Sequence, residues 1–374
     1  MSVRKRTWIT SQGTHKEAWI VDYVDHEGDR HIETFERKKD ADAYHATVKV
    51  DVRKGMHTAP SKSITVAEAA DIWIKRVEAD GRERSTVDQY KHHVRHIVPK
   101  LGRYKLASLS AKGVESFRDD LLVKLSRPTA RKVLTSLKSL LKANKYAHVA
   151  ADVKIGPDKR SKHKLEAGRD LPTPAEVKRM VDAAKDTKAR ALLLTVALTG
   201  LRASELRGLR WSDVDLKASE LHVRQRADKH CKIGPPKSAS SRRTVPLDSD
   251  MLVPALKAWK LACPKGEAGL VFPATTGKAA RHESVLHSLD PIMVAAGVVD
   301  RSGKPKYRPH AFRHFFASWC INPKERGGRE LAPKAAQTLL GHSSIVMTLD
   351  LYGHMFPRGD DKAELAKAVN ALLA

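Results

Sequence analysis

Cysteine is scarce: Cys231, Cys263 and Cys320 are far apart and odd in number among 374 residues. A disulfide framework and a Cys-x-x-Cys metal knuckle are therefore excluded, and a reducing cytosol fits. Long apolar runs are missing too. No stretch approaches the roughly 18 apolar residues of a membrane span. The N-terminal MSVRKRTWITSQ is basic but has no apolar core of the kind a signal peptide carries. No internal repeat or low-complexity tract occurs. The expectation is a soluble, cytoplasmic protein with no membrane partner. Acidic residues fall well short of basic ones, 43 against 69, which leaves a net charge of +26. The excess is spread along the chain, so the folded domains themselves are basic. The favoured partner is a polyanion, with nucleic acid first.

A chain of this length with 41% hydrophobic residues suits two or three globular domains. Residues 1–60 read as a small module. Trp8-Ile9-Thr10, Ala18–Tyr23 and His31–Phe35 are short β-prone runs, His26–Asp29 supplies a turn, and a helix follows from about Lys39 to Val52. Its basic rim (Arg4, Lys5, Arg6, Arg30, Arg37, Lys38) suits a sheet laid in a nucleic-acid groove, with dimerisation or capping as the competing role. Met56–Ser63 is a linker. Residues 63–155 then read as a helical domain. Thr65-Val66-Ala67-Glu68 is a capping box, and apolar stripes through Trp73, Ile97, Phe117 and Leu137 mark four helices. His92, His93 and His96 join lysines and arginines on the faces expected to be exposed. Residues 156–172 form a basic linker.

The third domain, 173–374, opens at a second capping box, Thr173-Pro174-Ala175-Glu176. Ala189–Leu198 is apolar nearly all round and so buried, and Gly200 stops it. Strands are expected at Leu221–Gln225 and Arg243–Leu247, with helices near 250–262, 283–296, 310–321, 332–341 and 344–352. An amphipathic tail helix spans Lys362–Leu373. The fold class is mainly α with small β-sheets (α+β).

Three places carry chemistry. Arg202 follows the buried helix and its glycine stop, with Glu205 three residues on to orient it, and a guanidinium so held suits phosphate oxygens. Lys237 follows Gly234-Pro235-Pro236 between the two expected strands, with Lys232 five residues earlier as the other candidate. On the helix from Pro309, His310 and Arg313 share a face and His314 lies one turn past His310. Two histidines four apart resemble a zinc pair. No glutamate lies between them, however, and a fixed arginine charge beside a dication is unfavourable, so a phosphate site explains the group better. His342 and Tyr352 complete the cluster.

In order, Thr199-Gly200-Leu201-Arg202-Ala203-Ser204-Glu205-Leu206, His310-Ala311-Phe312-Arg313-His314, Leu339-Leu340-Gly341-His342 and Tyr352 resemble the tyrosine recombinase (phage integrase) family over residues 173–357. The flanking modules are similar to those of its longer integrases. They would be an N-terminal three-stranded sheet plus helix for arm-type sites, a helical core-binding domain, and a mixed α/β catalytic domain. The resemblance implies a cofactor-free and metal-free transesterification in which Tyr352 attacks the scissile phosphate and leaves a 3′-phosphotyrosyl link. It implies Arg202, Arg313 and His342 as phosphate donors, Lys237 as general acid for the 5′-oxygen, and His310 as acid/base for the tyrosine. Glu205 and His314 would be supporting residues. It further implies double-stranded DNA attachment sites and a self-tetramer as partners, together with a DNA-bending host factor and an excision factor. Tyr352 is preferred to the other six tyrosines because it lies ten residues after His342, on a helix opened by Ser343-Ser344. The expected role is integration or excision of a phage, prophage or other mobile element. A dimer-resolving recombinase, a topoisomerase-like enzyme and a non-catalytic DNA-binding regulator are the competing readings. Whether the tail helix packs on its own domain or on a neighbour stays open.

Overall fold

The computed structural model describes residues 2–11, 13–25, 28–53, 62–156 and 164–356. Most of the expected 56–63 linker, the turn residues His26 and Glu27, the basic stretch up to His163 and the Lys362–Leu373 tail helix lie outside the described residues. The chain divides into two compact units, Met1–Ser161 and Lys162–Ala374.

In the first unit, β1 (Ser2–Ile9), β2 (His15–Val24) and β3 (Arg30–Phe35) form an antiparallel sheet in chain order. β1 runs well ahead of the expected Trp8–Thr10. Arg4, Lys5 and Arg6 show no apolar alternation, yet their backbones pair with Ile20, Trp19 and Ala18. Helix α1 (Lys38–Arg53) packs on one face through Val21, Tyr23, Ala41 and Val48. The other face carries Arg4 and Arg30, both ion-paired to Asp22 and both more than half exposed.

The same unit continues through α2 (Val66–Ala79), α3 (Arg84–Leu101), α4 (Ala111–Lys124) and α5 (Arg127–Ala143). The Thr65 capping box forms with both of its reciprocal bonds. Trp73, Val77, Ile97, Phe117, Leu134, Leu137 and Leu141 join one apolar cluster, as their helical spacing dictates. One expectation fails here. His93 is buried, not on the basic face, and its Nδ1 lies 2.7 Å from the Ser136 hydroxyl. Burial pushes its pKa down. The hydroxyl supplies the partner without which a buried imidazole is costly.

The second unit begins with α6 (Pro174–Ala183) on the Thr173 capping box, and α7 (Thr187–Thr199) follows. Helix α7 is buried on almost every side, packs on later helices, and ends at Gly200 in the left-handed region (φ 59°). A Cβ there would lie 2.3 Å from the Phe316 ring, so glycine is required for space as well as for conformation. Next come α8 (Ala203–Gly208), β4 (Val214–Asp215), β5 (Glu220–Val223), β6 (Arg226–Ala227), β7 (Ile233–Gly234) and β8 (Arg243–Pro246). The two expected strands pair directly as β5 and β8, with β4 on the far edge of β5. Their connection holds a separate β6–β7 hairpin that the sequence did not announce, since each strand is only two residues long.

Helix α9 (Leu252–Ala262) packs on α7. The single helix expected over 283–296 is two, α10 (His282–Leu286) and α11 (Asp290–Ala295), because Pro291 starts a new helix where it would break an existing one. Then follow α12 (Pro309–Ile321), α13 (Pro333–Leu340) and α14 (Ile345–Tyr352). Among the described residues no helix is long and apolar enough to cross a membrane.

Candidate active site

The site sits where two helices end. A helix leaves its last carbonyls without intrahelical donors, and these carry the negative end of the dipole. Here arginines take them. Arg313 Nη1 donates to the Gly200 carbonyl past α7 and Nη2 to the Leu340 carbonyl ending α13, both at 2.5 Å. Arg202 Nη2 donates to the Gly341 carbonyl at 2.9 Å. The glycines of the two sequence boxes thus end helices and hold arginines at once.

Glu205 joins the cationic groups. Its carboxylate accepts from Arg202 Nη1 at 2.7 Å and from the Arg202 backbone amide at 2.9 Å. It also accepts from Arg243, at 3.2 Å from Nη1 and 2.9 Å from Nη2. Burial alone would raise the pKa of this carboxyl. The Arg243 and Arg202 charges outweigh burial and hold it below the ordinary carboxylate range. Arg243 is almost fully buried and also donates to the Leu339 and Ser241 carbonyls. It was not among the residues expected at the site. A usable signal was present: on an alternating strand Arg243, Val245 and Leu247 share one face, and the inward side of an arginine needs a partner. Three guanidiniums around one carboxylate leave a net positive pocket, fit for an anion. Burial lowers the pKa of Arg313, with the Arg202 charge adding to it. A guanidinium nonetheless stays charged at neutral pH.

The nucleophile candidate is the last residue of α14. Tyr352 is 1% exposed and packs with Phe316, Cys320 and Leu340. Its hydroxyl lies 2.6 Å from His314 Nδ1. His310, expected to serve the tyrosine, is more exposed and stands edge-on to His314, with ring centroids 4.6 Å apart. The ring on the phenol is therefore that of His314. Burial pushes the Tyr352 phenol up to about 12, against the pull of Arg313 and Arg202.

His342 follows Gly341, and its Nδ1 lies 2.9 Å from the Thr348 hydroxyl of α14. With Nδ1 accepting that proton, the ring hydrogen is on Nε2, a neutral donor. Burial and then the Arg313 charge lower His342 to about 4; burial and then the His310 and Arg313 charges lower His314 to about 4. Burial, Arg313 and Arg202 lower His310 as well. The stability consequence has a definite sign. An unfolded histidine takes a proton near pH 6.5, whereas these folded ones resist to about 4. Acidification from pH 6.5 towards 4 is thus expected to lower the melting temperature, and the His314→Gln/His342→Gln double variant is expected to lose part of that slope. Thermal melts across this range check it.

Lys237 lies exposed in the β7–β8 connection, past the small hairpin rather than on its turn. Three residues later the Ser240 carbonyl lies 3.2 Å from where a Gly341 Cβ would stand, so this segment passes beside the arginines. Lys232 belongs to the hairpin turn, where its amide donates to Asp228. His354, the further histidine nearby in sequence, is bonded through Nε2 to the Leu165 carbonyl at 3.1 Å.

Against known proteins, the model described as the phage integrase family matches residues 172–358. A XerC-like tyrosine recombinase of Caldanaerobacter subterraneus subsp. tengcongensis is 26% identical, over 90% of this chain and 90% of its own. An integrase of Streptomyces ambofaciens is 28% identical, over 81% of this chain and 79% of its own. Among solved structures, the Tn1549 transposon integrase bound to transposon right end DNA superposes with a TM-score of 0.62 at 20% identity, covering 83% of this chain and all of that one. A lambda integrase dimer bound to a core site gives 0.58 at 17% identity, covering 95% of each. At these identities the structural likeness is one of fold.

Proposed function

Since the chain belongs to the phage integrase family, we propose that it integrates and excises a mobile element by cutting and rejoining double-stranded DNA at attachment sites through Tyr352. It is a site-specific tyrosine recombinase, an enzyme of DNA strand exchange. The observation that carries the residue assignment is the convergence of Arg202, Arg313, His342 and the Tyr352–His314 pair around the ends of α7 and α13.

In this reading Arg202 and Arg313 clamp the non-bridging oxygens of the scissile phosphate, and His342 donates through Nε2. Charge developing on those oxygens then meets donors already held by carbonyls, so little reorganisation is needed. The Tyr352 oxygen attacks phosphorus, the Oη–P bond forms and the P–O5′ bond breaks. Lys237 gives its proton to the leaving 5′-oxygen, and His310 and His314 handle the phenol proton between them. The 3′-phosphotyrosyl link keeps the bond energy, so a 5′-hydroxyl from a partner duplex can reverse the step. Two duplexes exchanging strands call for four protomers.

The proposed domains are 1–60 for arm-type sites, 63–155 for the core site and 173–374 for catalysis. The arginines and exposed Trp8 and Ile32 on one face of the β1–β3 sheet support the first. The integrase reading is favoured over dimer resolution by this extra module. A DNA-bending host factor and an excision factor are proposed accessories. In the test, two duplexes bearing the element's attachment sites are incubated with the protein in EDTA. Recombinant product is expected, and it should fall sharply on deletion of residues 1–60 while core-site binding persists. Relaxation of supercoils without exchange would favour the topoisomerase-like alternative, and equal recombination by the truncated protein would sink the arm-site role.

A further inference from the structure

We propose that His314 is the group that takes the Tyr352 proton during cleavage and returns it during rejoining, with His310 carrying that proton between His314 and solvent. The inference rests on the assignment of Tyr352 as nucleophile and goes further, by naming the atom that accepts.

The geometry is direct. His314 Nδ1 and Tyr352 Oη are 2.6 Å apart, and the two ring centroids are 5.7 Å apart at a tilt of 57°. An unprotonated Nδ1 accepts the phenol hydrogen bond, which puts the hydrogen of the neutral ring on Nε2. The neighbouring groups do not offer that lone pair. Arg313 and Arg202 lie near enough to act on the phenol electrostatically, but a guanidinium has no acceptor. His342 has Nδ1 engaged with Thr348. His310 lies one helical turn before His314 on α12, edge-on to it and more exposed, which suits a relay rather than first contact.

The proton moves as the attack proceeds. Without an anion, burial depresses His314 first, the neighbouring His310 and Arg313 charges add to it, and Asp170 acts in the opposite sense. A phosphodiester seated on Arg202 and Arg313 offsets the Arg313 part of that shift and makes the imidazole more basic, while the burial part stays. The phenol becomes strongly acidic once its oxygen bonds phosphorus, so transfer to Nδ1 accompanies formation of the Oη–P bond. Nothing is oxidised or reduced. One proton passes from Oη to Nδ1 while another passes from Lys237 to O5′.

The experiment uses the full chain on a nicked attachment-site duplex, with single-turnover adduct formation followed from pH 6 to 9. The groups facing His314 are His310, Arg313, His342, Tyr352 and Asp170, and the His314 substitutions by themselves alter none of them. His314→Gln is expected to bind the duplex as the wild type does and to react about 10²-fold more slowly at neutral pH. Its rate is expected to rise about tenfold per pH unit, because only the pre-formed phenolate reacts. The wild type should be much flatter. A ring-fluorinated tyrosine at position 352, more acidic than tyrosine, should restore much of the His314→Gln rate and change the wild type little. His314→Ala should behave like His314→Gln, and His310→Gln should be slowed less than either.

A His314→Gln protein as fast as wild type overturns the proposal. So does one slowed by the same factor at every pH and not helped by fluorination, which would mark a structural role. A wild-type protein that forms no adduct overturns the Tyr352 reading itself, and the two failures are therefore distinct.

Discussion

Tyr352→Phe protein is expected to bind its core site with affinity close to wild type and to form no covalent DNA adduct. Removing one oxygen leaves the ring in its apolar cluster with Phe316, Cys320 and Leu340, so the fold should persist. The hydroxyl's hydrogen bond to His314 is lost, which costs about 1 kcal/mol as a typical intramolecular bond. His314 is half-buried and can hydrate, which limits that cost. DNA affinity comes chiefly from lysines and arginines on phosphates, none of which change. Chemistry, by contrast, loses its only proposed nucleophile. Filter binding and a denaturing gel on the same samples separate the two effects.

Glu205→Ala is expected to have the second-largest effect, on stability and rate together. The wild-type carboxylate and the Arg243 side chain are 3% and 2% exposed, so their pairing is shielded from solvent. Breaking a buried pair by removing one partner typically costs about 3–5 kcal/mol, because a charge is left uncompensated. Arg243 would keep the Leu339 and Ser241 carbonyls, and Arg202 would keep Gly341. Neither guanidinium would keep its counter-charge. The Arg202 fork would also be free to rotate off the phosphate, and loss of one such donor lowers rate by about 10²–10³. Glu205→Gln preserves shape and should fall between wild type and alanine in both readings. An anion is expected to restore part of the lost stability, since it fills the vacated counter-charge. Thermal melts with and without sulfate, beside single-turnover cleavage, check these outcomes.

Local signals carried much of the architecture. Thr65 and Thr173 announced two helix starts, and both capping boxes form. The near-continuous apolar run before Gly200 became a buried helix with a left-handed stop. What escaped depends on distant partners. Glu205 was read as support for Arg202, three residues away, but its second guanidinium comes from Arg243, 38 residues on. Lone helical periodicity made His92, His93 and His96 look alike, whereas only the packing of α3 on α5 turns His93 inward onto Ser136. The choice between His310 and His314 was likewise invisible. It is decided by how α14 docks on α12, and helical spacing gives both rings the same face. The β6–β7 hairpin escaped for another reason: two residues per strand are too few for any alternation to show.

The most direct measurement traps wild-type protein on a nicked attachment-site duplex in EDTA, digests the adduct, and identifies the DNA-linked peptide by mass spectrometry. The expected peptide contains Tyr352, joined through its phenol oxygen to a 3′-phosphate. A link through another residue, or to a 5′-end, would contradict the account.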